Sequence, residues 1–340
     1  MKTAGVSQRI TICVRKRQIS ERMIILLIVV CIPCMRLLFY LSGEHPLMAN
    51  AEVRALFDTY DVPWELLFFE GQVSVYDTHF IQELSRLAMT HKILNLDYTL
   101  ENKSFRVRVK RILSDINSQN LEKEIADSLQ EKYGRLPVDL ETPEQEVYCI
   151  VQKNKKFVGR TMMDFPYSYE GRKPQYRPYF HPSSLHPRIA RALVNLGQCK
   201  NEVLDPFCGT GGILIEAGLM GLMVKGLDIS EDMVKGTVQN LEHFGVVNHQ
   251  IVQGDAVNLD TYFDHVESVV TDIPYGKASR ISGSRNRVYK QAFESIRAVT
   301  ERGCIVCPEE YSFENIGFTV TEKFVLPVHK SLNRYIYVLE

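Results

Sequence analysis

Asp205-Pro206-Phe207-Cys208-Gly209-Thr210-Gly211-Gly212 is the stretch that decides the fold. Residues 202–204 before it read as a strand, and residues 212–220 after it as a helix. Three glycines in four positions supply a turn without Cβ atoms, through which a backbone can approach a nucleotide-like ligand. No Gly-Lys-Ser/Thr closes the segment, so it is not a P-loop, and it lacks the Gly-x-Gly-x-x-Gly spacing of a dinucleotide fingerprint.

Working outward, a helix is expected over residues 188–196 and strands over 223–227, 250–252, 268–271 and 304–307, with helices over 231–244 and 288–300 between them. Strands alternating with helices imply a doubly wound parallel sheet. Two β-like runs, 318–326 and 334–339, close the chain with no helix between them and imply an antiparallel hairpin. Seven strands in this layout match Rossmann-like methyltransferases. Further upstream, strand 36–41, a helix opened by Pro46, a hairpin about Gly71, a helical stripe at Ile81, Leu84, Leu87 and Ala88, and strand 93–96 give the ferredoxin-like split pattern. A second unit follows: strand 105–112, helix 121–133 stopped by Gly134, and strand 147–152. Residues 153–180, rich in Lys, Arg, Tyr and Pro, read as an ordered linker.

Four successive strands of the carboxy-terminal half each end on a carboxylate: Asp205, Asp228, Asp255 and Asp272. One or two of them could merely cap the next helix. All four at the ligand-binding edge of a doubly wound sheet would repel a pyrophosphate and suit the sulfonium and ammonium of S-adenosylmethionine. Asp228 has the spacing of a carboxylate that holds ribose hydroxyls. The candidate cofactor residues are Asp205, Phe207, Cys208, Gly209, Thr210, Gly211, Asp228, Ile229, Asp255 and Ala256.

Thr271-Asp272-Ile273-Pro274-Tyr275-Gly276 is similar to the Asp/Asn-Pro-Pro-Tyr motif of enzymes that methylate exocyclic amines of nucleobases, with Ile273 in place of the first proline. Such an amine donates its lone pair into the ring and is a poor nucleophile. Asp272 and the Ile273 carbonyl would accept its two hydrogens, Pro274 would shape the turn, and Tyr275 would be the platform on which the base stacks.

With Phe180-His181-Pro182-Ser183-Ser184-Leu185-His186-Pro187-Arg188 and the closing His329-Lys330-Ser331-Leu332-Asn333-Arg334-Tyr335-Ile336-Tyr337, these motifs together resemble the archaeal tRNA guanosine-10 N2-methyltransferase family. The resemblance runs from Met35 to the end. It implies an α/β fold, a Rossmann-like seven-stranded methyltransferase domain preceded by an α+β ferredoxin-like and THUMP region. It implies S-adenosylmethionine as donor, the guanine 2-amino group as acceptor, mono- and dimethylguanosine as products, and a THUMP domain gripping the tRNA acceptor end. Some relatives use a small zinc-containing activator subunit, a partner this resemblance raises here too. The expected division is 35–97 ferredoxin-like, 98–155 THUMP core, 156–180 linker and 181–340 methyltransferase. The alternatives are an amino-methyltransferase acting on another nucleobase in ribosomal RNA or DNA, and a tRNA-binding module with impaired catalysis, for which Ile273 is the hint. DNA is not the expected partner, because no DNA-recognition domain is apparent.

The chain of 340 residues is 45% hydrophobic and 24% charged with net charge −1, which excludes disordered, collagen-like and polytopic membrane classes. A polyanion must therefore be met by local clusters: Arg106, Arg108 and Lys110 on one face of a strand, Lys153, Lys155, Lys156 and Arg160 next, and Lys277, Arg280, Arg285 and Arg287 after the Asp272 motif. Eight scattered cysteines suit a reducing, cytoplasmic compartment, and Cys304 and Cys307, separated by Ile305 and Val306, read as a buried strand, with no metal site expected. Cys208 reads as a packed loop residue. The basic residues 2–22 and apolar run 23–32 look like a signal or anchor, but the run is short for a span, and no small-residue cleavage site follows. Residues 1–34 are expected to be a non-native or disordered extension, with the working protein starting near Met35 and no membrane partner.

Overall fold

Two seven-stranded sheets carry the structure, a computed structural model that describes residues 34–165, 168–181, 184–274, 282–329 and 332–340. The expectations for residues 1–33 lie outside the described residues, and no helix among those described is long and apolar enough to cross a membrane. Residues 34–340 form one compact unit.

The first sheet has the order β2-β3-β1-β4-β7-β6-β5. Its strands are β1 (Met35–Leu41), β2 (Trp64–Glu70), β3 (Val73–Thr78), β4 (Thr90–Asn95), β5 (Phe105–Ile112), β6 (Gln145–Gln152) and β7 (Lys155–Asp164). Helix α1 (Pro46–Thr59) covers the ferredoxin-like half and α2 (Ser118–Tyr133), capped by the Asn117 side chain, covers the other. Two expectations need correction. The stripe from Ile81 to Ala88 is not an α-helix; it forms a single 3-10 turn, Gln82–Arg86, its apolar residues buried by a loop. The segment 155–164 is not linker but β7, which pairs with β4 on one side and β6 on the other. Its charged composition hides a strand whose backbone is satisfied on both sides, and Gly159 admits the Asn95 carbonyl where a Cβ would sit 2.8 Å from it. The ferredoxin-like and THUMP segments therefore share one continuous sheet across residues 97–98.

The second sheet has the order β10-β9-β8-β11-β12-β14-β13. Strands β8 (Glu202–Asp205), β9 (Met223–Asp228), β10 (His249–Gln253), β11 (Val269–Asp272) and β12 (Gly303–Cys307) run parallel; β13 (Val320–His329) and β14 (Leu332–Leu339) are the antiparallel closing pair. Helices α3 (Pro187–Leu196), α4 (Gly212–Leu219) and α5 (Glu231–His243) pack on one face, α6 (Ser282–Val299) on the other. Neighbouring residues alternate between the two cores: Val203, Val270 and Cys304 face one, Leu204, Val269 and Ile305 the other. The first of these cores continues into α1 and β1, joining the two halves of the molecule.

That joint is also polar. Glu52 of α1 is fully buried and accepts N–H groups of Ala88 (2.8 Å) and Met89 (2.9 Å) and the Asn195 side chain of α3 (2.7 Å). Burial raises its carboxyl above the ordinary range against these hydrogen bonds.

Candidate active site

Strands β8 and β11 lie side by side where the strand order reverses, so the loops leaving them meet at the crevice where doubly wound sheets bind ligands. The loop after β8 turns through Gly209 (φ 52°) and Gly211 (φ 77°), left-handed positions where a side chain would be strained. Asp228, ending β9, holds this loop: Gly209 N donates to Oδ2 at 3.0 Å and Ser230 N to Oδ1 at 2.9 Å. Each carboxylate oxygen keeps a second lone pair for a further donor. Ile229 beside it is 71% exposed, and Asp255, also exposed, accepts Val257 N at 3.1 Å as the cap of a 3-10 turn, with Ala256 buried behind it. Thr210 is buried, its Oγ1 3.0 Å from Ser184 Oγ, and Phe207 is half-buried against the second core. Cys208 is packed against Thr237, and burial pushes its thiol well up, which suits a structural residue.

Asp205 behaves differently from its neighbours. It is 2% exposed, accepting Thr271 Oγ1 at 2.6 Å and Phe207 N at 3.1 Å, and so ties the end of β8 to the end of β11. Burial, with the charges of Asp272 and Asp228, pushes its carboxyl up to about 7 against those hydrogen bonds. The folded chain then keeps a proton that the unfolded chain releases, so stability falls as pH rises from the ordinary carboxylate range through about 7. Asp205→Asn is expected to flatten the dependence of the melting temperature on pH between these limits; an unaltered slope would place the titration elsewhere.

Asp272, at the end of β11, is half-buried with Arg334 Nη2 of β14 3.3 Å from its Oδ2. Ile273 is fully buried in the second core, and its N–H donates to Val306 O at 3.0 Å. An apolar core position explains isoleucine in place of proline here. The Pro274 carbonyl accepts Tyr289 Oη of α6 at 3.0 Å. The main chain at 272–274 is thus pinned from both sides. Tyr275, Lys277 and Arg280 lie outside the described residues, as does the Arg285 side chain, while Arg287 is exposed on α6.

Comparison with known proteins fits this arrangement. The methyltransferase domain family described as RMKL-like matches residues 174–324, and the THUMP domain family matches residues 82–159. The tRNA (guanine(10)-N2)-dimethyltransferase of Methanothermobacter thermautotrophicus is 32% identical over 90% of this chain and 99% of its own. That of Pyrococcus abyssi is 36% identical over 89% and 99%. The chain belongs to the tRNA (guanine(10)-N2)-dimethyltransferase family. Among solved structures, TrmN from Thermus thermophilus is 20% identical, covering 90% of this chain and 99% of that one with a TM-score of 0.49.

The basic strand β5 carries the first of the cation clusters marked in the sequence. Its four cations are not equivalent, and Arg111, exposed, donates Nη1 to the Ile116 carbonyl at 3.1 Å. Arg106 donates to Glu146 through Nε (2.9 Å), and Lys92 binds the same carboxylate at 2.7 Å. Arg108 is half-buried with Nη2 on the Leu140 carbonyl at 3.2 Å, and Lys110 is exposed. Of the next cluster, Lys153 and Lys155 are paired with Glu70. Sequence reasoning did not single out Arg334, present only inside the closing motif, nor Glu52 and Arg177, which no spacing rule marks.

Proposed function

We propose that this protein transfers methyl groups from S-adenosylmethionine to the exocyclic N2 of guanosine 10 in tRNA, giving mono- and then dimethylguanosine. The observation that carries the reading is the Asp272-Ile273-Pro274 turn leaving β11 directly beside the glycine loop leaving β8. The residues present suit the donor: exposed Ile229 offers a flat apolar contact for an adenine, Asp228 has acceptor capacity for hydroxyls, and carboxylates rather than cations end the strands. The cofactor supplies an electrophilic methyl group on a sulfonium. The chain's part is to prepare the amine. Asp272 and the Ile273 carbonyl accept its two N–H groups, aim its lone pair, and stabilise the positive charge that develops on nitrogen; Asp272 or water then takes the proton. Arg334 holds the Asp272 carboxylate in place from β14. Tyr275 is the stacking platform in this reading.

Transfer of labelled methyl groups to a tRNA transcript carrying guanosine at position 10, against the same transcript with inosine there, tests the acceptor directly. Inosine lacks only the 2-amino group, so labelling should vanish; equal labelling of both overturns the reading.

The THUMP region supplies the tRNA grip. Neutralising exposed Lys110 with Arg108 and Arg111, leaving Arg106 to balance Glu146, should flatten the salt dependence of tRNA binding by up to about three units in log K against log salt, one per phosphate contact, and raise KM more than it lowers kcat. An unchanged slope moves the RNA surface elsewhere. A small zinc-containing activator subunit belongs to this reading as a second partner: β10 is an edge strand, and Val247 just before it is 88% exposed. A cytoplasmic location is part of the same reading.

A further inference from the structure

Arg177 is 5% exposed, and its Nη1 has no hydrogen-bond partner. A buried guanidinium with an unmade hydrogen bond is costly and calls for an anion. Among the described residues no carboxylate bonds Nη1. Nε donates to the Arg172 carbonyl at 3.1 Å, which carries no net charge. The nearby acid is Glu216 of α4, 1% exposed, which accepts from Arg172 Nε and Nη2 at 2.6 and 3.2 Å with Arg191 Nη1 3.8 Å away, and which makes no hydrogen bond to Arg177 Nη1. Arg172 and Arg191 are half-buried and share Glu216, with Glu52 a second acid near Arg191, whereas Arg177 is buried and makes no ion pair among the described residues. Burial lowers the Arg177 guanidinium to about 10, against the attraction of Glu216.

The place of this guanidinium is the start of α4. A Cβ on Gly212 would lie 3.1 Å from Arg177 Nη1 and 3.6 Å from Nη2, so the guanidinium sits against the first turn of the helix that the cofactor loop enters. The helix has Gly211 as its N-cap and no side-chain cap, so its dipole also favours an anion there. The glycine loop therefore has carboxylates on the strand ends at one flank and unpaired arginine at the other. That is the charge pattern of an amino-acid zwitterion.

We infer that Arg177 binds the α-carboxylate of S-adenosylmethionine at the amino terminus of α4. This rests on the methyltransferase reading above and goes beyond it by assigning the residue that distinguishes the amino-acid end of the cofactor. A Cβ at Gly212 would press tightly on that guanidinium, so glycine lets it lie close to the helix.

Calorimetric titration of the full chain without tRNA tests it, with S-adenosylmethionine and decarboxylated S-adenosylmethionine as probes. The second keeps the sulfonium and the amine and lacks only the carboxylate. The unaltered protein should bind the decarboxylated compound about 10- to 100-fold more weakly, the range of one charge-assisted contact. Arg177→Met should weaken S-adenosylmethionine by the same factor and leave the decarboxylated compound nearly unaffected, while Arg177→Lys should recover part of the loss. Circular dichroism checks that each variant is folded; if the Met variant is not, the Lys variant and the two-probe comparison on the unaltered chain decide. Equal affinity of the unaltered chain for both probes, or equal loss of both in Arg177→Met, overturns the assignment of Arg177 alone. Failure of the unaltered chain to bind either compound overturns the methyltransferase reading and this inference with it.

Discussion

Asp272→Ala is expected to abolish methyl transfer while cofactor and tRNA still bind. The carboxylate ends β11, Arg334 Nη2 lies 3.3 Å from it, and the Ile273 N–H is fixed to Val306, so the turn keeps its shape when the side chain is shortened. What goes is the acceptor for the amine and the charge that offsets the cation forming on nitrogen. Losing one preorganised contact of this kind costs roughly 10²–10³ in kcat, and losing the acceptor outright costs more. Asp272→Asn keeps an oxygen acceptor and loses the charge, so a small residual rate should remain. Single-turnover transfer to tRNA, measured beside cofactor and tRNA Kd values, gives the comparison. Activity of the Ala variant within about tenfold of the unaltered enzyme, less than one such contact is worth, would remove Asp272 from the mechanism.

Glu52→Ala is expected to be the most destabilising of the substitutions considered. It leaves the N–H groups of Ala88 and Met89, and one N–H of the Asn195 amide whose nitrogen also donates to the Arg86 carbonyl, without their acceptor inside the joint between α1 and α3. Each abandoned buried donor costs about 1–3 kcal/mol, so a loss of at least about 3 kcal/mol follows. Glu52→Gln keeps one acceptor oxygen and should cost markedly less. Because the joint sets the span between the THUMP region and the methyltransferase sheet, the Ala variant, assayed at a temperature where it is folded, should lose kcat/KM for tRNA more than affinity for the cofactor. An unchanged melting midpoint would show that the joint is held by its apolar contacts alone.

The methyltransferase half was largely legible because its information is contiguous. Strand, glycine loop and helix occupy residues 202–219 without interruption, and β8, β9 and β11 each end on an aspartate, with Asp255 two residues past the end of β10. Asp205 and Asp255 show the limit of that reading. The same residue type at the same edge becomes an inter-strand tie in one case and a cap in the other, decided by whether Thr271 or Val257 faces it. Arg334 meets Asp272 only through the register of β14 on β12 and β12 on β11, which no local pattern encodes. In the other half, β7 was hidden because a strand paired on both sides, half-buried and rich in charge, shows neither alternation nor an apolar run. The Gln82–Arg86 turn shows the opposite case: apolar spacing typical of a helix can also be buried by a loop.

The central claim is that this chain methylates N2 of guanosine 10, and nucleoside mass spectrometry with position mapping tests it most directly. Purified protein, S-adenosylmethionine and an unmodified tRNA transcript should give N2-methylguanosine followed by N2,N2-dimethylguanosine, both confined to position 10. Methylation of adenosine or cytidine, or of guanosine at another position, would contradict it.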